Sequence, residues 1–90
     1  MDIKKTAICG SLESNDILVT VKPGEGDIEI VVDSIVRVQF GDQIEALIRS
    51  QLAEMGVQNI SVYVQDRGAI DCIIRARLET AVLRAQEGIS

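Results

Sequence analysis

Ninety residues with a formal net charge of -5 make one domain, residues 1–90, with a single modest core, since a chain of this size buries roughly 60 to 65% of its unfolded surface. Acidic balance and only two aromatic residues, Phe40 and Tyr63, argue against a nucleic-acid surface, which needs positive charge and stacking rings, and favour basic protein partners. The lack of any histidine removes the commonest general base, the Ser-His and Cys-His pairs and the commonest zinc ligand, so neither nucleophilic catalysis nor a metal site is expected.

Lys4 and Lys5 precede no apolar run, and nothing approaches the roughly 20 apolar residues of a membrane span. A soluble, cytoplasmic protein without membrane contact is therefore expected. Residues 6–9 are short and partly β-branched, which suits a strand. Residues 10–16, Gly10-Ser11-Leu12-Glu13-Ser14-Asn15-Asp16, form a polar, turn-prone island. Gly10 tolerates positive φ, and Asn15 and Asp16 can bond their own backbone. Read alone, this is a hairpin connection. Ser14 presents a small hydroxyl at its tip, and with no histidine to activate it that hydroxyl suits an attachment point for another enzyme's product, not a nucleophile.

In residues 17–21, Ile17, Val19 and Val21 share one face while Leu18, Thr20 and Lys22 take the other. Pro23-Gly24-Glu25-Gly26-Asp27 turns the chain. It is no phosphate loop, because no Lys-Ser/Thr follows and no helix opens there. Residues 28–32 repeat the alternation, with Ile28, Ile30 and Val32 inward and Glu29 outward, so the two runs are expected to pair as an antiparallel hairpin.

From Ser34 the period becomes helical through Val36, Phe40, Ile44, Leu47, Ile48, Leu52 and Met55. Gly41 interrupts this helix at about 1 kcal/mol relative to alanine. An alternative start uses Asp42 as N-cap with Glu45 three residues on; the longer helix keeps Val36 and Phe40 in phase. Gly56 supplies the stop. Residues 60–64 alternate again, with Ile60, Val62 and Val64 on one face. After Asp66-Arg67-Gly68 a second helix carries Ile70, Ile73, Ile74, Leu78, Ala81, Val82 and Ala85 on one stripe, Asp71 in its first turn, and Gly88 at its end.

The expected architecture is α+β: a two-layer sandwich in the order β-β-(β)-α-β-α, its mostly antiparallel sheet of three to four strands covered on one face by two amphipathic helices. Cys9 and Cys72 lie in apolar neighbourhoods outside any Cys-x-x-Cys pair and read as reduced core thiols. Arg75, Arg77 and Arg84 suit either a docking face or ordinary solvated pairing such as Arg75 with Glu79. Glu13 and Asp16 read as an acidic recognition patch for a basic modifying enzyme, not as a catalytic carboxylate pair.

Three stretches carry a family resemblance: the segment from Gly10 to Asp16, Gln39-Phe40-Gly41-Asp42, and Asp66-Arg67-Gly68-Ala69-Ile70-Asp71-Cys72-Ile73-Ile74-Arg75-Ala76-Arg77-Leu78-Glu79. In their order and content they resemble the acyl carrier subunit, or gamma chain, of citrate lyase; the last tips the balance over the carrier of malonate decarboxylase. Asn15 departs from the small residue, often glycine, of that family. The resemblance implies that Ser14 carries 2'-(5''-triphosphoribosyl)-3'-dephospho-CoA through a phosphodiester bond. It implies a non-catalytic subunit partnered by citrate lyase alpha and beta subunits and a prosthetic-group transferase. The alpha subunit would exchange acetyl for citryl on the arm, releasing acetate, and the beta subunit would cleave the citryl thioester to oxaloacetate and the regenerated acetyl thioester. An unmodified α+β interaction or regulatory module sharing the turn is the rival from another class.

Overall fold

The computed structural model describes residues 2–34 and 37–86, with the backbone alone for residues 37–41. Strands β1 (Ala7–Gly10), β2 (Ile17–Pro23) and β3 (Ile28–Ser34) precede helix α1 (Arg37–Glu54), strand β4 (Ile60–Asp66) and helix α2 (Asp71–Gln86). The period-2 residues of β2 and β4 form the floor of the core: Ile17, Val19, Val21, Ile60, Val62 and Val64 are all at or below 1% exposure. Ile44, Ile48 and Leu52 from α1, and Ile74, Leu78, Ala81, Val82 and Ala85 from α2, cover that floor. The opposite parity stays open, so Ile8, Val31 and Tyr63 remain exposed in one register row with Thr20. Helices over one sheet face make the expected two-layer α+β fold.

The expected β2–β3 hairpin does not form. The sheet order is β1-β2-β4-β3, with β4 between the two strands, antiparallel to β2 and parallel to β3. Alternation in β2 and β3 fixes which face is buried but not which strand is the neighbour. Pro23 and Ile28 both take Ile60 as register partner, so residues 24–27 step over the start of β4. Gly26 N–H donates to Asn59 Oδ1 at 2.8 Å and Ile60 N–H to the Asp27 carbonyl at 3.1 Å. Gly24 is needed there because a Cβ would run into Asn59 Oδ1 and the Ile60 nitrogen. The parallel β3–β4 pair is joined through α1, the crossover that parallel strands require.

The backbone is helical from Arg37 and through Gly41, which agrees with the longer helix; Val36 and the Phe40 side chain lie outside the described residues. A Schellman motif ends α1: Gly56, at φ 73°, donates to the Ala53 carbonyl, and Val57 N–H to that of Leu52 at 2.9 Å. Ile70 is not on the buried stripe of α2. It is 67% exposed and precedes the helix, its carbonyl receiving Ile73 N–H and Ile74 N–H. Gly88 lies outside the described residues. The chain's beginning folds back on α2, Lys4 N–H and Lys5 N–H both donating to the Ala85 carbonyl at 2.9 and 3.1 Å.

Both cysteines are free, but they are not both in the core. Cys9 is half-buried against the helices, whereas Cys72 is exposed. At 100° per residue Cys72 stands about 200° round α2 from the buried Ile74, on the opposite side of the helix.

Candidate attachment site

The turn between β1 and β2 is shaped by its own residues. Gly10 closes β1 at φ 107°, where an added Cβ would strike the Ile17 carbonyl. Ser11 N–H donates to that carbonyl at 3.3 Å. Asp16 N–H then bonds the Glu13 carbonyl at 3.1 Å, which leaves Ser14 and Asn15 at the two central positions of a β-turn. Asn15 has φ 67° and Ser14 does not have positive φ, the sign pattern of a type II turn. Asparagine is the non-glycine residue best suited to that conformation, so position 15 holds a positive φ without a glycine.

Asp16 is the knot beneath the tip. Its carboxylate accepts Ser11 Oγ–H at 2.6 Å and its neighbour's Ile17 N–H at 2.7 Å. Arg77 on α2 adds Nε to Oδ1 at 3.1 Å and Nη2 to Oδ2 at 3.0 Å. Arg77 first, then Ser11, holds the Asp16 carboxyl down at about 2 instead of 3.8, and Asp16 in return raises the Arg77 pKa. Ser11 Oγ also accepts Glu13 N–H at 3.2 Å. On the other side the turn is sewn to the chain beyond β4: Asn15 N–H donates to the Arg67 carbonyl at 2.8 Å, and Arg67 N–H to the Asp16 carbonyl at 2.9 Å.

Ser14 is exposed above this frame, and among the described residues its hydroxyl has no hydrogen-bond partner. A carboxylate as acidic as Asp16, already gripped by an arginine, is a poor proton acceptor and does not serve this serine as a general base. The arrangement offers a primary hydroxyl on a fixed post. The acidic patch shrinks to Glu13, because Asp16, 15% exposed at its side chain, is committed to Arg77.

The three arginines of α2 are likewise engaged within the molecule. Arg75 pairs with Glu54 at 3.1 Å, across the gap between α2 and the last turn of α1, and not with Glu79. Arg84 donates to the Ile8 carbonyl at 2.9 Å. The Asp16–Arg77 and Asn15–Arg67 links had no local signal in the sequence, because each joins segments that only the closed fold brings together. Among the described residues no group of three or more His, Cys, Asp or Glu could hold a metal ion, and no helix is long and apolar enough to cross a membrane.

Comparison with known proteins gives the family and the fold. Residues 4–85 match the acyl carrier family described as malonate decarboxylase delta subunit. The chain is 47% identical over 88 residues to the citrate lyase acyl carrier protein of Pectobacterium carotovorum subsp. carotovorum, covering 98% of this chain and 92% of that one. It is also 47% identical over 88 residues to that of Halothermothrix orenii, covering 98% and 94%. A subunit in the crystal structure of a Pseudomonas malonate decarboxylase hetero-tetramer in complex with malonate superposes with a TM-score of 0.82 at 22% identity, over 94% of this chain and 88% of that chain, which shows a shared fold.

Proposed function

The chain belongs to the family of acyl carrier proteins that takes in the citrate lyase carriers and the malonate decarboxylase delta subunit, and we propose that it is the carrier subunit of citrate lyase. It acts as a non-catalytic part of a larger complex and holds a covalently attached prosthetic group. Citrate lyase is favoured over malonate decarboxylase because the relatives near half identity bear the first name. The relation to the Pseudomonas decarboxylase subunit is one of fold.

We place the attachment at Ser14 and identify the group as 2'-(5''-triphosphoribosyl)-3'-dephospho-CoA. The observation that carries this reading is the exposed, unpartnered Ser14 hydroxyl on a turn tied down from both flanks. The residues present fit such a group, since a phosphodiester needs a hydroxyl free of other bonds and open space around it. When bound, the group supplies a thiol that carries the acyl chain between the alpha and beta subunits, raising its effective concentration at each site. Ser14 anchors the arm, and Asp16, Arg77 and Arg67 keep that anchor from swinging.

Intact mass tests the reading. Protein incubated with the transferase and cofactor precursor gains a mass of coenzyme-A scale, and Ser14→Ala, shown by circular dichroism to be folded, gains none and gives an inactive reassembled complex. A modified, active Ser14→Ala protein would overturn the site. A native protein of unmodified mass, isolated with the complete machinery present, would favour the plain interaction module. Co-purification with malonate decarboxylase subunits in place of citrate lyase subunits would transfer the carrier to that enzyme.

A further inference from the structure

We propose that the Arg67 guanidinium is an anion-binding group of this turn and holds the phosphate that joins the arm to Ser14. The proposal rests on the Ser14 reading above. Its first support is position: Arg67 bonds through its own N–H and carbonyl to Asp16 and Asn15, the two residues that follow Ser14. No other arginine is tied to the turn by its backbone among the described residues.

The second support is how the cations are used. Arg49, Arg75 and Arg77 each face a carboxylate, of Glu45, Glu54 and Asp16, and Arg84, which bonds the Ile8 carbonyl, is not linked to the turn. Arg67 is half-buried, yet among the described residues its guanidinium meets only a neutral acceptor, the Asp66 carbonyl, from Nη1 at 3.0 Å. The adjacent Asp66 carboxylate is 1% exposed and committed elsewhere, accepting Ser34 Oγ–H at 2.8 Å and Ala69 N–H at 3.0 Å. A guanidinium has five donors in a planar fork suited to phosphate oxygens, and Arg67 spends one.

The third support is charge. A phosphodiester on Ser14 adds a negative charge beside Glu13 and Asp16 on a chain already at -5. Arg77 offers little relief, since its charge is already paired with the Asp16 carboxylate. Arg67 is the neighbouring cation that faces no carboxylate among the described residues, and a charge-assisted contact there fixes the direction in which the arm leaves the turn.

The test uses the loaded carrier and ³¹P NMR of the seryl phosphodiester, assigned through its coupling to the Ser14 β protons. The wild-type resonance is expected to be displaced from that of a serine peptide bearing the same group. Arg67→Gln should lose most of the displacement, Arg67→Lys should keep part of it, and Arg75→Gln should keep all of it. In the wild-type protein the Arg67 Nε–H should exchange with water more slowly when loaded than when unloaded, a readout that needs no variant to fold. Equal ³¹P displacement in wild type and Arg67→Gln, or unchanged Nε–H exchange on loading, would overturn the clamp while leaving Ser14 in place. Failure of the wild-type protein to gain the arm's mass overturns the Ser14 reading and the clamp with it.

Discussion

Asp16 and Arg77, 61 residues apart in the chain, meet in a two-point clamp of 3.1 and 3.0 Å that fastens the β1–β2 turn to helix α2. A bidentate arginine–carboxylate pair fixes orientation as well as distance. The turn that bears Ser14 is thus a rigid extension of the core and not a loose loop.

This clamp gives the fold an acid limit. The Asp16 carboxyl sits at about 2 when folded and at 3.8 when free. A folded value below the unfolded one means stability that is complete above about pH 4 and lost as pH falls through about 2. Urea unfolding across that window should show wild type losing stability more steeply than Asp16→Asn. At neutral pH Asp16→Asn should be weaker by about 1 kcal/mol, a charged hydrogen bond discounted because the Arg77 side chain is 39% exposed. Parallel pH profiles for the two proteins would contradict the linkage.

The two serines of the turn should separate cleanly. Ser11 bridges Asp16 and the Glu13 amide, so Ser11→Ala should cost about 1 kcal/mol yet still accept the prosthetic group. Ser14→Ala breaks no hydrogen bond and should stay within about 0.5 kcal/mol of wild type. Denaturant midpoints and intact mass on the same samples give both answers, and a Ser11→Ala protein that folds but takes no group would move the attachment to Ser11.

Backbone conformation sets a third expectation. Asn15 at φ 67° should tolerate Asn15→Gly within about 0.5 kcal/mol, whereas Asn15→Val should cost about 1 to 2 kcal/mol, since a β-branched residue resists the left-handed region. Gly10→Ala should be worse, about 2 to 3 kcal/mol, because it adds a collision with the Ile17 carbonyl to a φ of 107°. Thermal melts of the three variants rank them directly; an unperturbed Gly10→Ala would refute the close approach.

Thiol labelling of the unloaded native protein should modify Cys72 rapidly and Cys9 slowly, in line with their exposure. Unfolding should bring both to the same rate. Thiol assays of the loaded carrier therefore call for a Cys72→Ala background, which is expected to leave stability within about 0.5 kcal/mol. Equal native rates for the two cysteines would contradict their placement.

Local chemistry was enough for the elements and for the tip of the turn. Alternation in residues 17–21, 28–32 and 60–64 marked the strands and their buried faces, because side chains on a strand point to opposite sides in strict turn. Helical spacing and Gly56 located α1 and its end, and the Gly10-to-Asp16 segment with its exposed Ser14 was legible from glycine and Asx chemistry. Strand neighbours were not. The insertion of β4 between β2 and β3 depends on where α1 returns the chain, and no periodicity within a strand encodes that. Cys72 and Ile70 were misplaced for a related reason: an apolar neighbourhood in sequence does not say which side of a helix, or which side of its first turn, a residue occupies. The anchoring of the turn lay furthest from view. Arg77 reaches Asp16, and Arg67 bonds Asn15 and Asp16, only after the β2–β4 register and the seat of α2 have been set. Sequence provided a free hydroxyl on a turn; packing across the sheet made that turn a fixed post with an arginine on either side.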